Sequence, residues 1–409
     1  MNAKLNEYAR LLVEVGINIQ KGQRLVITCP TEWAEFGRAC AKIAYENGCK
    51  EVVMRWTDEQ TSRLRLLYGE DSIFDEVPEY IVRFFTDYAK EGAARLVLNS
   101  GDPMAFAGVD MDRLSRSQKS EMLALREYRE LAFKNIAQWS IGCLVSPAWA
   151  KTVYPDLDEA EAIDRLWDDI FMAVRVKGDN KAVEAWQQHI DNLKLRCDWL
   201  NSLHLKYLHY KSGIGTDFTL RLAEDNVWCG GGDTTTGGVY FMPNMPTEEI
   251  FSAPHTHGSS GVIVASMPLC YGGSMIENIR MTVEDGRIVS ATATAGEQLL
   301  NELLNTDEGA SRFGEVALVP FDSPISNTGT LFYKTLFDEN ASCHFAFGKA
   351  YPDTVAGGGG MSNEELKAHG VNNSAVHVDF MVGTADLEIT GFDAEGRGTP
   401  IFRNGGFTK

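Results

Sequence analysis

"RLVITCPTEWAEFGRACAKIAYENGCKEVVMRW", residues 24–56, decides how the first half of the chain is built. Its opening, "RLVITCP" (24–30), is a short apolar run, and its end, "KEVVMRW" (50–56), is another. Between them, "TEWAEFGRACAKIAYENG" (31–48) spaces its apolar residues as a helix does. Thr31 stands where it can cap that helix, and Gly48 follows its end. Strand, helix, strand in this order predicts a parallel pair with a covering helix.

The same alternation extends outward. A first helix over about 3–20 places Leu5, Ala9, Leu12, Val13 and Ile17 on one face. Downstream, a helix near 79–91 leads to "ARLVLNS" (94–100), and another near 110–131 leads to "QWSIGCLVS" (138–146). Charged helices near 157–175 and 179–203 follow. Residues 1–205 thus read as an N-terminal α/β domain, its sheet mostly parallel and covered by helices. The first strand–helix junction, "LVITCPTEWAEF", carries no glycine fingerprint. A nucleotide-binding protein with a regulatory second domain therefore lacks positive support.

Beyond 205 the texture changes. "LHYKSGIGTDFTLRLAED", "GVYFMP", "SGVIVASMPLCYGGSMIENIRMTVEDGRIVSATAT" and "VHVDFMVGTADLEITGFD" read as strands separated by Gly, Asp and Asn. Gly286 after Asp285 signals a two-residue hairpin. Helices are expected only near 296–305 and 362–369. Residues 206–409 are expected to form a β-rich C-terminal domain. "WCGGGDTTTGG" and "AGGGG" lack a P-loop lysine, open no helix, and read as flexible surface loops.

Composition narrows the class. The chain has 409 residues, 44% of them hydrophobic, and a formal charge of −19. That excess of carboxylates argues against nucleic acid or an anionic membrane as the main partner. No stretch reaches the roughly 18 apolar residues of a membrane span. The N-terminus, with Glu7 and Glu14, has no signal-peptide core, which predicts a cytoplasmic protein. The eight cysteines form no C-x-x-C pair and sit mostly in apolar runs, so they read as buried thiols.

Chemistry concentrates in the second half. "HVDFMVG" (377–383) places His377 and Asp379 on one face of a strand, with Val378, Phe380 and Val382 on the other. "NMPTEEIFSAP" (244–254) holds Glu248 and Glu249, "FGEVALVP" (313–320) holds Glu315, and "DENASCHFAFGKAYP" (338–352) holds Glu339, His344 and Tyr351. Imidazole and carboxylate without thiolate suit Zn, Co or Mn at catalytic centres. Cations would also offset the burial of so many carboxylates. Taken singly, each glutamate is equally a strand-end surface residue or an ion-pair partner, and a lone histidine is more often a core residue. His255 and His257 in "APHTHG" share i, i+2 spacing but read as a loop. His189, His204 and His209 are assigned no chemistry. "SPISNTG" (323–329) is a loop beside the metal motifs. No G-x-S-x-G elbow occurs, which disfavours a serine hydrolase.

"NMPTEEIFSAPH", "GGSMIENIRMTVEDGRIV", "LLNTDEGASRFGEVALVP", "SPISNTGTLFYKTLFDENASCHFAFGKAYP" and "HVDFMVG", in this order, resemble the successive motifs of the thermophilic-type metalloaminopeptidases, peptidase family M29, the aminopeptidase T and S type. The likeness is densest over 240–385. It implies removal of the N-terminal residue from peptides, two divalent metals per subunit (Zn, Co, Mn or Mg), and a homodimer. It implies metal ligands at Glu249, Glu315, Glu339, His344, His377 and Asp379. Glu315 would bridge metals or serve as general base, and Tyr351 would stand at the centre. The same ligands would serve a dinuclear amidohydrolase of other amides. A free-amine requirement separates the two.

Overall fold

The computed structural model describes residues 2–102, 105–271 and 274–409. Gly272 and Gly273, which open the "GGSMIENIR" motif, lie outside the described residues. The chain divides into two compact units, one of 1–188 with 232–246, the other of 189–231 with 247–409.

The first unit is α/β. Its five strands run in the order Asn244–Met245, Trp139–Cys143, Ala94–Asn99, Arg24–Pro30, Glu51–Thr57, all parallel. The outermost of these comes from far along the chain, where no strand–helix alternation announces it. The opening helix spans Ala3–Leu11, with Asn2 accepting from the Leu5 N–H at 2.9 Å, and continues as one wide turn through Gly16. It ends short of residue 20 because Asn18 turns left-handed, with φ 47°. Glu7, buried on the apolar face, accepts from the N–H groups of Gly178 and Ala182 at 2.6 and 2.9 Å. It thereby caps the helix Ala182–Ser202 from a distance.

Thr31 does not cap the next helix. Residues Thr31–Trp33 form a 3₁₀ turn ahead of Ala34–Glu46, which starts without a side-chain cap. The turn is anchored by the Trp33 indole, which donates to the Val145 carbonyl at 2.9 Å, while the Thr31 hydroxyl reaches Asp58 at 3.4 Å. The helix expected over 110–131 is two helices, Met111–Ala124 and Arg126–Phe133, parted at the buried Leu125. Two further helices, Glu59–Tyr68 and Pro147–Val153, are begun by Asp58 and Ser146 as N-caps. Both had the start signal in sequence, a capping residue before a helical run.

The second unit is β-rich. An antiparallel sheet of eight strands runs Arg287–Thr292, Arg280–Glu284, Ser260–Val264, Asp217–Arg221, Tyr207–Lys211, Glu388–Phe392, Gly398–Arg403, Gly406–Phe407. A second sheet holds five strands in chain order: β1 (Cys229–Gly230), β2 (Ile250–Ser252), β3 (Phe313–Leu318), β4 (His344–Gly348) and β5 (His377–Met381), every pair antiparallel. One face of this sheet belongs to the apolar core. Phe345 stands 5.6 Å from Phe218 and from Phe313, and Phe347 stacks on Phe380 at 4.3 Å. Asp285 and Gly286 make the expected hairpin turn, both with positive φ. The glycine-rich stretches are open at Gly238, Gly357 and Gly360 but closely packed at Gly230 and Gly358. A Cβ on Gly230 would lie 2.7 Å from the Glu249 carbonyl, and one on Gly358 would lie 1.9 Å from the Pro352 carbonyl. Glycine is used there so that backbones can touch. Among the described residues no helix is long and apolar enough to cross a membrane.

Candidate metal centre

The site lies on the other face of the five-stranded sheet. The register pairs His344 with Ala317 and Met381, and Ala346 with Glu315 and Asp379. His344, Glu315 and Asp379 therefore stand on neighbouring strands beside small alanines. His377 and Asp379 share this face, while Val378 packs against the core and Phe380 and Val382 are buried in it. Strict alternation would put Phe313 and Glu315 on one face. A bulge between them breaks that rule. Phe313 enters the core, and Glu315 turns to the site. The intervening Gly314 lets the Lys349 backbone approach, since a Cβ there would meet the Lys349 carbonyl oxygen at 2.1 Å.

Each imidazole is fixed by its far nitrogen. His344 Nδ1 lies 3.1 Å from the Ser342 carbonyl, and His377 Nδ1 lies 2.7 Å from the Lys349 carbonyl. A carbonyl can only accept, so each Nδ1 carries the proton and each Nε2 presents a lone pair in the neutral ring. Those Nε2 atoms converge on carboxylates. His344 Nε2 is 3.2 Å from Glu249 Oε2 and 3.5 Å from Glu315 Oε1. His377 Nε2 is 3.7 Å from Glu315 Oε2 and 3.5 Å from Asp379 Oδ1. Glu315 thus turns one oxygen to each ring. Ligand atoms of Glu249, Glu315 and His344 all fall within 4.8 Å of one another.

The electrostatics are those of a site short of positive charge. Burial, with Asp379 and Glu249 nearby, pushes the Glu315 carboxyl up. Burial and the charges of Asp379 and Glu249 push Glu339 well up. Burial opposes a charged His344, but Glu249 and Glu315 outweigh it and hold the ring well above its ordinary value. Burial likewise opposes a charged His377, and Asp379 and Glu315 raise it to about 9. Asp379 is lowered in turn, because His377 outweighs the cost of its burial. Even so, His344 Nε2 and Asp379 Oδ1 are buried without an aligned hydrogen-bond partner. Buried ligand atoms left without an aligned partner, in a site short of positive charge, fit a bound divalent cation.

All seven sequence-predicted residues belong to this unit. Tyr351, 41% exposed as a residue, makes a T-shaped contact with the His377 ring at 5.0 Å, and local desolvation of its phenol together with the four carboxylates pushes that phenol up. Glu339 lies beside Asn340, whose Nδ2 is 3.4 Å from Glu339 Oε1. Nothing in the spacing of the chain singles out Asn340. It is fully buried, accepts from the Glu248 N–H at 2.7 Å, and donates to the Leu336 carbonyl at 3.1 Å. It ties the Glu248–Glu249 loop to the Glu339 turn. His189, given no chemistry above, is 2.8 Å from the Thr247 carbonyl and 3.5 Å from Glu248 at the same loop. His257 pairs with Asp285 at 2.9 Å, and His255 Nδ1 accepts the His257 N–H. Ser323 reaches the Asn340 carbonyl at 3.5 Å.

The family pattern described as thermophilic metalloprotease (M29) matches residues 1–407. The chain belongs to the M29 family. It is 46% identical, over 98% of both chains, to aminopeptidase AmpS of Bacillus subtilis (strain 168). It is 43% identical to aminopeptidase 2 of Geobacillus stearothermophilus, over 98% of this chain and 97% of that one. The solved structure of wild-type AmpT from Thermus thermophilus matches it with a TM-score of 0.93 at 38% identity, covering 99% of each chain. This M29 chain is a metalloaminopeptidase, a hydrolase of a family that uses divalent metal.

Proposed function

We propose that this M29 chain removes the N-terminal residue from peptides with two divalent cations per subunit, held by the β-rich unit. The observation that carries the reading is the division of Glu315, one oxygen toward His344 and the other toward His377. On this assignment Glu249, Glu315 and His344 would hold one cation, and His377 and Asp379, with the second oxygen of Glu315, would hold the other. Glu339, whose carboxyl senses Asp379, Glu249 and Glu315, completes the donor set. Bound Zn, Co, Mn or Mg would polarise the scissile carbonyl and make water a nucleophile near neutral pH.

The chain's own groups do the rest. The carbonyls of Ser342 and Lys349 hold the two rings in one tautomer, which keeps both Nε2 lone pairs turned inward. A carboxylate not consumed by metal accepts the attacking water's proton and passes it to the leaving amine. Tyr351, kept protonated by its surroundings, donates to the oxyanion that develops on the carbonyl. Carboxylates at the rim accept hydrogen bonds from the substrate's α-ammonium. The protein acts in the cytoplasm as a homodimer on this reading.

Metal analysis of the purified chain tests the count. Two divalent ions per subunit are expected, falling in His344→Ala and Asp379→Ala together with hydrolysis of a leucyl amide. Full activity in exhaustively metal-free protein overturns the reading.

A further inference from the structure

Arg95 stands in a row that ought to be apolar. In the first unit's sheet its register partners are Val26 and Trp139, and Val26 pairs onward with Val53. This face is covered by the aromatic side chains of Glu79–Lys90 and Arg126–Phe133. The Arg95 side chain makes no hydrogen bond or ion pair with any described residue. Burial alone, with no carboxylate contributing, lowers its pKa to about 10. Its guanidinium lies 5.3 Å from the centre of the Tyr128 ring, and the Tyr128 hydroxyl is buried without a partner. Arg95 is partly exposed, so in a chain with a net charge of −19 its guanidinium stands with one side against the ring wall and no carboxylate among the described residues beside it. A guanidinium packed on an aromatic face keeps its planar fork of donors free for an incoming carboxylate, and the buried Tyr128 hydroxyl beside it is the polar group left without a partner.

Beside these two groups lies a cavity of about 40 Å³, bounded by Phe84, Phe85, Tyr88, Tyr128, Trp139 and Arg95. At roughly 10–15 Å³ per water that is room for about three waters. Such space admits a guest of four or five heavy atoms. Ring contacts already pack the wall: Phe84 with Tyr88 and Phe85 with Tyr128, each at 5.2 Å. The wall is therefore apolar and preformed, with a forked donor among its lining residues.

We propose that this cavity is a binding site for a short monocarboxylate of acetate to propionate size, its carboxylate on the Arg95 guanidinium and Tyr128 hydroxyl and its alkyl end against the aromatic wall. Planar, two-pronged pairing is what guanidinium offers a carboxylate and a halide cannot use. The site is separate in sequence and in unit from the metal centre and does not rest on the reading given for it.

The test is propionate binding to the metal-loaded chain, read by saturation-transfer NMR and calorimetry, against propionamide and chloride at equal ionic strength. Wild type is expected to bind with a dissociation constant on the order of millimolar, the range open to so small a ligand. Arg95→Leu is expected to bind at least tenfold more weakly and Tyr128→Phe severalfold more weakly, both with unchanged metal content. Propionamide is expected not to bind. Carboxylate bound at the metals would persist in Arg95→Leu, so the difference isolates this cavity. Equal binding by Arg95→Leu, or none by wild type, overturns the proposal. Chloride competing as well as acetate overturns the carboxylate assignment. Should Arg95→Leu fail to fold, Arg95→Lys keeps the charge without the fork, and undiminished binding there overturns it too.

Discussion

Glu315 faces two imidazoles whose proton-bearing nitrogens are both tied to backbone carbonyls. Glu315→Gln keeps the shape and removes the charge and basicity. Activity is expected to fall by a factor on the order of 10² or more, the usual share of a positioned proton-transfer group. Elemental analysis is expected to show less than the full metal complement, and normal turnover at full loading would refute the assignment. Tyr351→Phe isolates a hydroxyl, because the ring keeps its contacts with His377 and Phe251. An oxyanion donor is worth roughly 3 kcal/mol. Steady-state kinetics is expected to show kcat down about a hundredfold, with the melting temperature unmoved. Of these residues, His377 and Asp379 were legible directly, since a strand's period of two puts them on one face. Asn340 was not, because an asparagine in a polar turn has no spacing that reveals which backbone N–H it will meet.

At the scale of elements, the bulge at Gly314 decides which way Glu315 points. A Cβ at Gly314 would run into the Lys349 carbonyl, and Lys349 is also what fixes His377. Gly314→Ala is expected to cost about 1–3 kcal/mol, as overpacked sites do, and to weaken metal binding although no ligand is altered. Urea denaturation and metal titration of the same variant check both. Binary patterning cannot show a bulge, since the extra residue reverses the faces and the pattern still reads as a strand. For the same reason the parallel sheet was legible from four strand–helix alternations, while its two-residue fifth strand, Asn244–Met245, carries too little period to be seen. A second element-level prediction concerns the end of the strand Asp217–Arg221. Glu224 pairs with Lys206 and Arg221 at 2.8 and 2.7 Å, which holds its carboxyl at about 2, below its ordinary 4.5. The carboxyl is partly exposed, so the gain is under about 1 kcal/mol. A depressed acid stabilises fully above the unfolded value, and the gain is lost as pH falls toward the folded one. The stability gap between wild type and Glu224→Gln is therefore expected to be constant above about pH 5.5 and to narrow by pH 3. A gap that widens with acid would contradict it.

For the whole molecule, what matters is the sign of the charge it presents to a substrate. The chain carries −19, and a peptide's free α-amine, with a pKa of about 8, is mostly a cation at neutral pH. Attraction of this kind acts on approach and weakens as salt shortens the Debye length. An exopeptidase must also read the free amine at the site, through carboxylate acceptors or through metal. Acetylation removes the charge and the lone pair together, so it abolishes both contributions. The expected outcome is release of the first residue from short free peptides, none from their N-acetylated forms, and kcat/KM for the free peptides falling as sodium chloride rises. Mass spectrometry of matched peptide pairs reads the first point, and initial rates across ionic strength read the second. Equal cleavage of both forms, or cuts within the chain, would mark a general amidase or endopeptidase built on the same ligands. A salt-independent kcat/KM with the acetyl block intact would place recognition wholly in short-range contacts at the site, because only the long-range attraction is open to screening.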